Sequence, residues 1–200
     1  MIFKLLKIVF LVTAFSQTAI AASSSGGSSR KLLLVEVNGL LGYGSSKAST
    51  DTSTPTITSV NVGLGLGVNI KSFSLGLSYD YRSLVQLSDV DPNVGNRRGT
   101  FISPISIFVK LNFEAVKFGV MIINSGKYEL SNTTLTGQTL SYTKPSGFRF
   151  SVNLKKMNKV EPTFFYESVS FSERELNGVA SSLSSNLNYS NYGVGARYEF

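Results

Sequence analysis

Three carboxylates, Glu36, Asp80 and Glu167, and one guanidinium, Arg149, are the groups in this chain whose placement could do chemistry. Each stands on the polar face of an alternating segment, about five to eight residues in, so an enclosed sheet would bring them to one depth. Two carboxylates facing one space can work as an acid/base pair. Nothing marks a substrate pocket beside them, however, and buried charges held by neighbouring Arg and Lys are the preferred reading. The chain has no His, which removes Ser-His-Asp and Cys-His nucleophile systems and the commonest zinc ligand. It has no Cys either, hence no disulfide and no cysteine for a lipid anchor. Asp89 and Asp91 could hold a divalent ion with loop carbonyls, but a solvated loop is preferred. The run Gly63 to Gly67, GLGLG, lacks both the spacing and the following helix of a nucleotide loop. Asn132-Thr133-Thr134 and Asn188-Tyr189-Ser190 match the glycosylation triplet, which is common in Ser/Thr-rich loops and carries no weight here. No catalytic residue, cofactor or metal is expected.

The elements that must position these charges begin after a leader. Lys4 and Lys7 precede the apolar run Ile8 to Phe15, and Ala19-Ile20-Ala21 offers the small residues of a cleavage site. The run falls well short of the roughly 20 apolar residues of a spanning helix. Residues 1–21 are therefore read as a secretory signal, 22–30, with its SSSGGSS tract, as a flexible leader, and 31–200 as one domain. Nineteen basic residues face twelve acidic ones, two of the basic ones in the signal, and no Lys/Arg run suggests a nucleic-acid partner. An exported chain that is 42% hydrophobic and lacks a spanning helix must bury its apolar residues in a core or turn them towards lipid.

Period-2 runs alternate with polar stretches along the domain, the pattern of strands. Eight strands are expected: 31–44, 59–70, 72–83, 100–111, 115–125, 146–155, 160–171 and one ending at Phe200. The second is the cleanest, with Val60, Val62, Leu64, Leu66, Val68 and Ile70 on one face and Gly63, Gly65 and Gly67 among the small residues on the other. Glycine at alternate positions weakens a strand unless the inside is crowded and the wall must curve. In the seventh strand the pattern blurs, and a bulge near Ser168 is expected. Long connections at 45–58, 84–99, 126–145 and 172–185 alternate with short turns near Lys71, Asn112–Glu114 and Met157–Lys159. The in-strand charges Glu36, Asp80, Arg82, Lys110, Lys117, Arg149, Glu167 and Arg197 all take the face opposite the apolar stripe. On a lipid-facing wall, Lys or Arg at mid-membrane would cost roughly 2 to 4 kcal/mol each. These eight are expected to form a charge network that plugs the lumen, since an eight-stranded barrel is about filled by its own side chains. Aromatic girdles are expected at both rims: Tyr43, Tyr79, Tyr81, Phe101 and Phe148 on the long-loop side, Phe73, Phe113, Tyr198 and Phe200 on the other.

The last ten residues, NYGVGARYEF, put Tyr192, Val194, Ala196, Tyr198 and Phe200 on one face, and the chain ends on an aromatic. With the leader, the eight alternating strands and the loop asymmetry, this resembles the small OmpA/OmpX-type bacterial outer-membrane β-barrel family. The resemblance implies an all-β, eight-stranded antiparallel up-and-down transmembrane β-barrel whose last strand pairs with the first. It also implies an outer-membrane location with both termini periplasmic, outer-membrane lipid as surroundings, and Tyr198 and Phe200 as the insertion signal read by the barrel-assembly machinery. A non-enzymatic envelope role through surface loops, with a surface ligand of unknown identity, is the expected function. A small pore, or a carrier of small or apolar molecules like the OmpW-type barrels, is the alternative. An enzyme at the lipid surface has neither His nor Cys to work with. A lipocalin-like barrel is the rival fold and would carry its apolar face inward.

Overall fold

The computed structural model describes residues 32–47, 54–70, 72–86, 98–131, 138–155 and 159–200. The expected signal and leader, the turns at Lys71 and Met157, and Asp89, Asp91 and Asn132 lie outside the described residues. Among the described residues nine strands form one sheet: β1 Leu33–Lys47, β2 Thr56–Ile70, β3 Phe73–Gln86, β4 Gly99–Asn112, β5 Val116–Ile123, β6 Lys127–Leu130, β7 Leu140–Leu154, β8 Val160–Leu176 and β9 Val179–Glu199. Apart from β5 and β6, neighbours in sequence pair antiparallel, and β9 pairs β1, so the sheet closes on itself.

β5 and β6 share one place in the ring. Both pair with β4 and β7, and the register is continuous across the gap: Ser106 meets Ile123 and Ile102 meets Lys127, while on the other side Gly147 meets Ile123 and Tyr142 meets Tyr128. Asn124 to Gly126 leave the ladder without changing the count, so the ring has eight positions. Ser125 patches the break. Its hydroxyl donates to the Ile105 carbonyl at 2.6 Å and accepts from the Ile105 amide at 3.3 Å.

The circuit of register partners Gly76, Phe108, Met121, Arg149, Glu167, Asn191, Gly44, Ile57 and Gln86 returns to β3 about ten residues above its start. That stagger tilts the strands. It also means that side chains meeting at one height in the lumen are not register partners.

Over the half of the barrel nearer the short turns, apolar side chains point outward and polar ones inward. Leu41, Leu66, Leu77, Ile107, Phe118, Phe150, Phe164 and Val194 are exposed, whereas Glu36, Asp80, Lys110, Arg149, Glu167 and Arg197 are buried. The apolar face is thus the reverse of a lipocalin-like barrel's. Above Tyr43, Tyr166 and Tyr192, which face each other across β1, β9 and β8, the arrangement turns inside out. Outward positions become Ser45, Ser168, Ser170, Asn186 and Asn188, and inward ones become Ile57, Val169, Phe171, Leu187 and Tyr189.

Several sequence expectations need correction. Among the described residues the segments 126–145 and 172–185 are largely strand: β6 and the start of β7 lie in the first, and β8 and β9 run through the second to a tight turn at Asn177-Gly178. Both turn residues have positive φ, 50° and 83°, as a two-residue hairpin of the Asn-Gly kind requires. Ser168 carries no bulge; it pairs in register with Phe148 and Ser190, and the shift lies between Phe171 and Glu173. A further shift at Ser78/Asp80 gives β4 an extra residue at Pro104, where no ladder donor is needed. It flips the parity below Ile105, so Phe101 is fully buried inside and not on the outer girdle.

Glycines on β2 and β3 leave room for neighbours to cross the lumen. A Cβ on Gly65 would lie 2.5 Å from Glu36 Cγ, one on Gly63 2.5 Å from Asn38 Nδ2, and one on Gly76 2.5 Å from Phe108 Cζ. Gly39, facing outward, has nothing within 4 Å of such an atom. Gly65→Val is expected to lower stability by about 1 to 3 kcal/mol. Gly39→Val is expected to leave it unchanged or raise it. Urea unfolding of both variants in the same lipid checks the contrast.

Candidate functional site: the lumen

The inward positions of the strands bring ten ionised groups together in two tiers. The upper tier is Asp80, Arg82, Arg149 and Glu167, from β3, β7 and β8. Arg82 grips Glu167 with two nitrogens, Nε to Oε1 at 2.9 Å and Nη2 to Oε2 at 2.8 Å. Arg149 bridges the two acids, Nε to Glu167 Oε2 at 2.8 Å and Nη1 to Asp80 Oδ1 at 3.0 Å. Ser78 donates to the other Asp80 oxygen at 2.8 Å. Asp80, Arg82 and Glu167 are fully shielded from solvent.

The lower tier holds Glu36, Lys110, Lys117 and Arg197. It also includes two residues that sequence reasoning left out of the network, Glu161 and Glu199. Lys110 pairs with Glu36, and Arg197 with Glu161. Lys117 lies 2.5 Å from Glu161 and 2.6 Å from Glu199, and Arg197 lies 3.3 Å from Glu199. Their signal was available. Glu161 has the parity of Glu167 on β8, and Glu199 that of Arg197 on β9. Five acids therefore face five bases, and each charge has an opposite one within reach. Such pairing is what makes burial of charge tolerable, because an ion without its partner costs several kcal/mol.

Between the tiers is a cavity of about 30 Å³, bordered by Asn38, Lys110, Arg149, Ser151 and Arg197. That is room for about one or two water molecules. The room left by the β2 glycines is taken up by Glu36, Asn38 and Asp80.

Above the upper tier the described inner face is mostly apolar, with Ser46 and Gln86 also buried there. Ile57, Leu84, Phe101, Ile123, Tyr128, Tyr142, Val169, Phe171, Leu187 and Tyr189, drawn from β2 to β9, belong to one buried cluster. Phe101 and Phe171 meet edge to face at 5.1 Å, and Tyr128 lies 5.8 Å from Phe171 and 6.1 Å from Tyr142. The Arg82 guanidinium sits 4.6 Å from the Phe101 ring centre, so the charged tier touches the underside of this layer. Sequence reading missed the layer because four of these ten, Ile57, Leu84, Tyr128 and Tyr142, lie in stretches taken for loops. Of the expected rim aromatics, Tyr43, Tyr79, Phe73 and Phe113 are exposed on the outer wall. Tyr198 and Phe200 pack edge to face at 4.7 Å, and the Phe200 amide extends the closing ladder by donating to the Val35 carbonyl at 3.0 Å.

Glu167→Gln removes the counter-charge of both Arg82 and Arg149, and is expected to cost about 3 to 5 kcal/mol. Glu175→Gln breaks only the exposed 3.2 Å pair with Lys127 and is expected to cost less than about 1 kcal/mol. Denaturant midpoints of the two variants in the same vesicles measure the difference.

No protein-family model matches the chain, and no curated protein is similar to it in sequence. Among solved structures, Neisserial surface protein A is similar over 84% of this chain and 97% of its own, with a TM-score of 0.54 and 14% sequence identity. An outer membrane channel from Pseudomonas putida F1 covers 84% of this chain and 96% of its own, at 8% identity and a TM-score of 0.35. The first likeness is one of fold. The chain is an all-β, closed antiparallel barrel similar in fold to that surface protein.

Proposed function

We propose that the protein is an integral outer-membrane β-barrel with a closed lumen. On this reading it is non-enzymatic and acts through the face that carries its long connections. One observation carries the reading: the described interior is filled at every level, by paired charges below and by packed aromatic and aliphatic groups above. The outward apolar belt supports a lipid surround, because exposed Leu, Ile, Val and Phe beside buried Arg and Glu are stable only where the outer medium is apolar. The fold likeness to a surface protein agrees with it. Export by residues 1–21, periplasmic termini and recognition of Tyr198 and Phe200 by the barrel-assembly machinery complete the proposal. A pore or a carrier of small molecules would need a continuous path or a larger cavity than one sized for water.

Refolded into planar bilayers, the mature chain 22–200 is expected to insert without discrete conductance steps; steady openings would replace the closed reading with a pore. In cells, Phe200→Ala and Tyr198→Ala are expected to lower the fraction assembled in the outer membrane. Unchanged assembly of both variants would remove the terminal aromatics from the insertion signal.

A further inference from the structure

We infer that the seal of the lumen is the aromatic layer of Phe101, Tyr128, Tyr142 and Phe171, and that the ion pairs beneath it are not the barrier. This rests on the closed-barrel reading and locates its gate. The two tiers of charge lie among groups that can solvate an ion: Asn38, Ser78, Asn153 and Thr163 stand beside them, and the cavity between the tiers has room for water. A small ion at that level would find carboxylates, ammonium groups and hydroxyls to replace part of its hydration shell. Above, among the described residues, the buried polar groups of the inner face thin out to Ser46, Gln86 and the tyrosine hydroxyls. From Phe101 upward the inner face carries the aromatic rings, Ile57, Leu84, Ile123 and Leu187, each at most 4% exposed. The four rings come from β4, β6, β7 and β8 and touch in a chain, with Phe171 within 6.4 Å of each of the other three. An ion crossing this layer must shed most of its water with few polar groups to replace it, a cost greater than that of passing among paired charges. The cation–π contact between Arg82 and Phe101 joins the two regions, so no wet gap separates them on that side.

The architecture follows from the reversal of the wall. Below Tyr43, Tyr166 and Tyr192 the lumen can be polar because the lipid-facing side is apolar. Above that level the outside is polar, and the inside must supply the apolar core. The seal is therefore the price of continuing the barrel past the apolar belt.

The test compares three proteins in planar bilayers at one salt concentration: the mature chain, the double variant Phe101→Ala/Phe171→Ala, and Arg149→Gln. The expected result is silence from the first and third and discrete openings from the second. Silence from the double variant, shown by its strand content and protease resistance to be inserted, would overturn the inference. So would openings from Arg149→Gln alone. Openings from the unmodified chain would instead refute the closed-barrel reading itself. A second measurement covers failure of the double variant to fold. The chain has no Cys, so Ser151→Cys places one thiol at the cavity. Silver ions added on the long-loop side are expected to leave that thiol unmodified, and to reach it once Phe101→Ala is added. Equal modification with and without Phe101 would also overturn the inference.

Discussion

A charge enclosed behind an apolar wall needs its counter-charge in place, and the rest of this barrel depends on that condition being met around Glu167. One carboxylate holds two guanidiniums, Arg82 and Arg149, and Arg149 passes the connection on to Asp80. Those four residues come from β3, β7 and β8, strands on different sides of the ring, so satisfying one acid ties the wall together across its diameter. The lower tier does the same for the closing strands. Arg197 on β9 reaches Glu161 on β8 and Glu36 on β1, and Lys117 on β5 reaches Glu199 on β9. The seam between first and last strands is thus held by backbone pairing in the wall and by ion pairs inside it. Phe108 joins this framework by lying against Lys110 and filling the room above Gly76.

Much of the architecture was legible in the sequence because strand parity is a strict code. Glu36, Asp80, Arg82, Lys110, Lys117, Arg149, Glu167 and Arg197 each sit at even spacing from the small or polar residues of the same strand, and all eight lie inside the ring. Which partner each takes was not legible. The stagger of the barrel sets the heights, and no single strand contains it. The parity code also fails where a strand changes register: the extra residue at Pro104 moved Phe101 from the expected outer girdle to the interior. A subtler failure was thermodynamic. Above Tyr192, β9 reads SSLSSNLNYS, which has the composition of a loop, yet it is strand, because its outward Ser and Asn meet water while Leu187 and Tyr189 pack inside. The Asn177-Gly178 pair makes the turn that this composition conceals, whereas the same dipeptide at Asn38-Gly39 lies inside β1, so the dipeptide alone did not mark it.

The break at Asn124 to Gly126 shows how a strand position can be interrupted without cost to topology. Register is the same on both sides, and a single serine hydroxyl takes over donor and acceptor duties to Ile105. Ile123 and Lys127 keep their register against β4, yet Ile123 faces inward and Lys127 outward, so the break shifts the facing of this strand position by one residue, as the extra residue at Pro104 does on β4. Tyr128 thereby arrives inside, against Phe171.

The reversal of the wall at Tyr43, Tyr166 and Tyr192 divides the molecule into two parts under different selection. Below it, on the proposed outer-membrane reading, the height of the apolar belt is tied to the thickness of the bilayer. Above it, water is on the outside, and the hairpins can gain or lose rungs in pairs without any change in the lipid contact. Divergence among descendants of such a chain should therefore accumulate as differences in the height of the upper storey, with the belt kept constant.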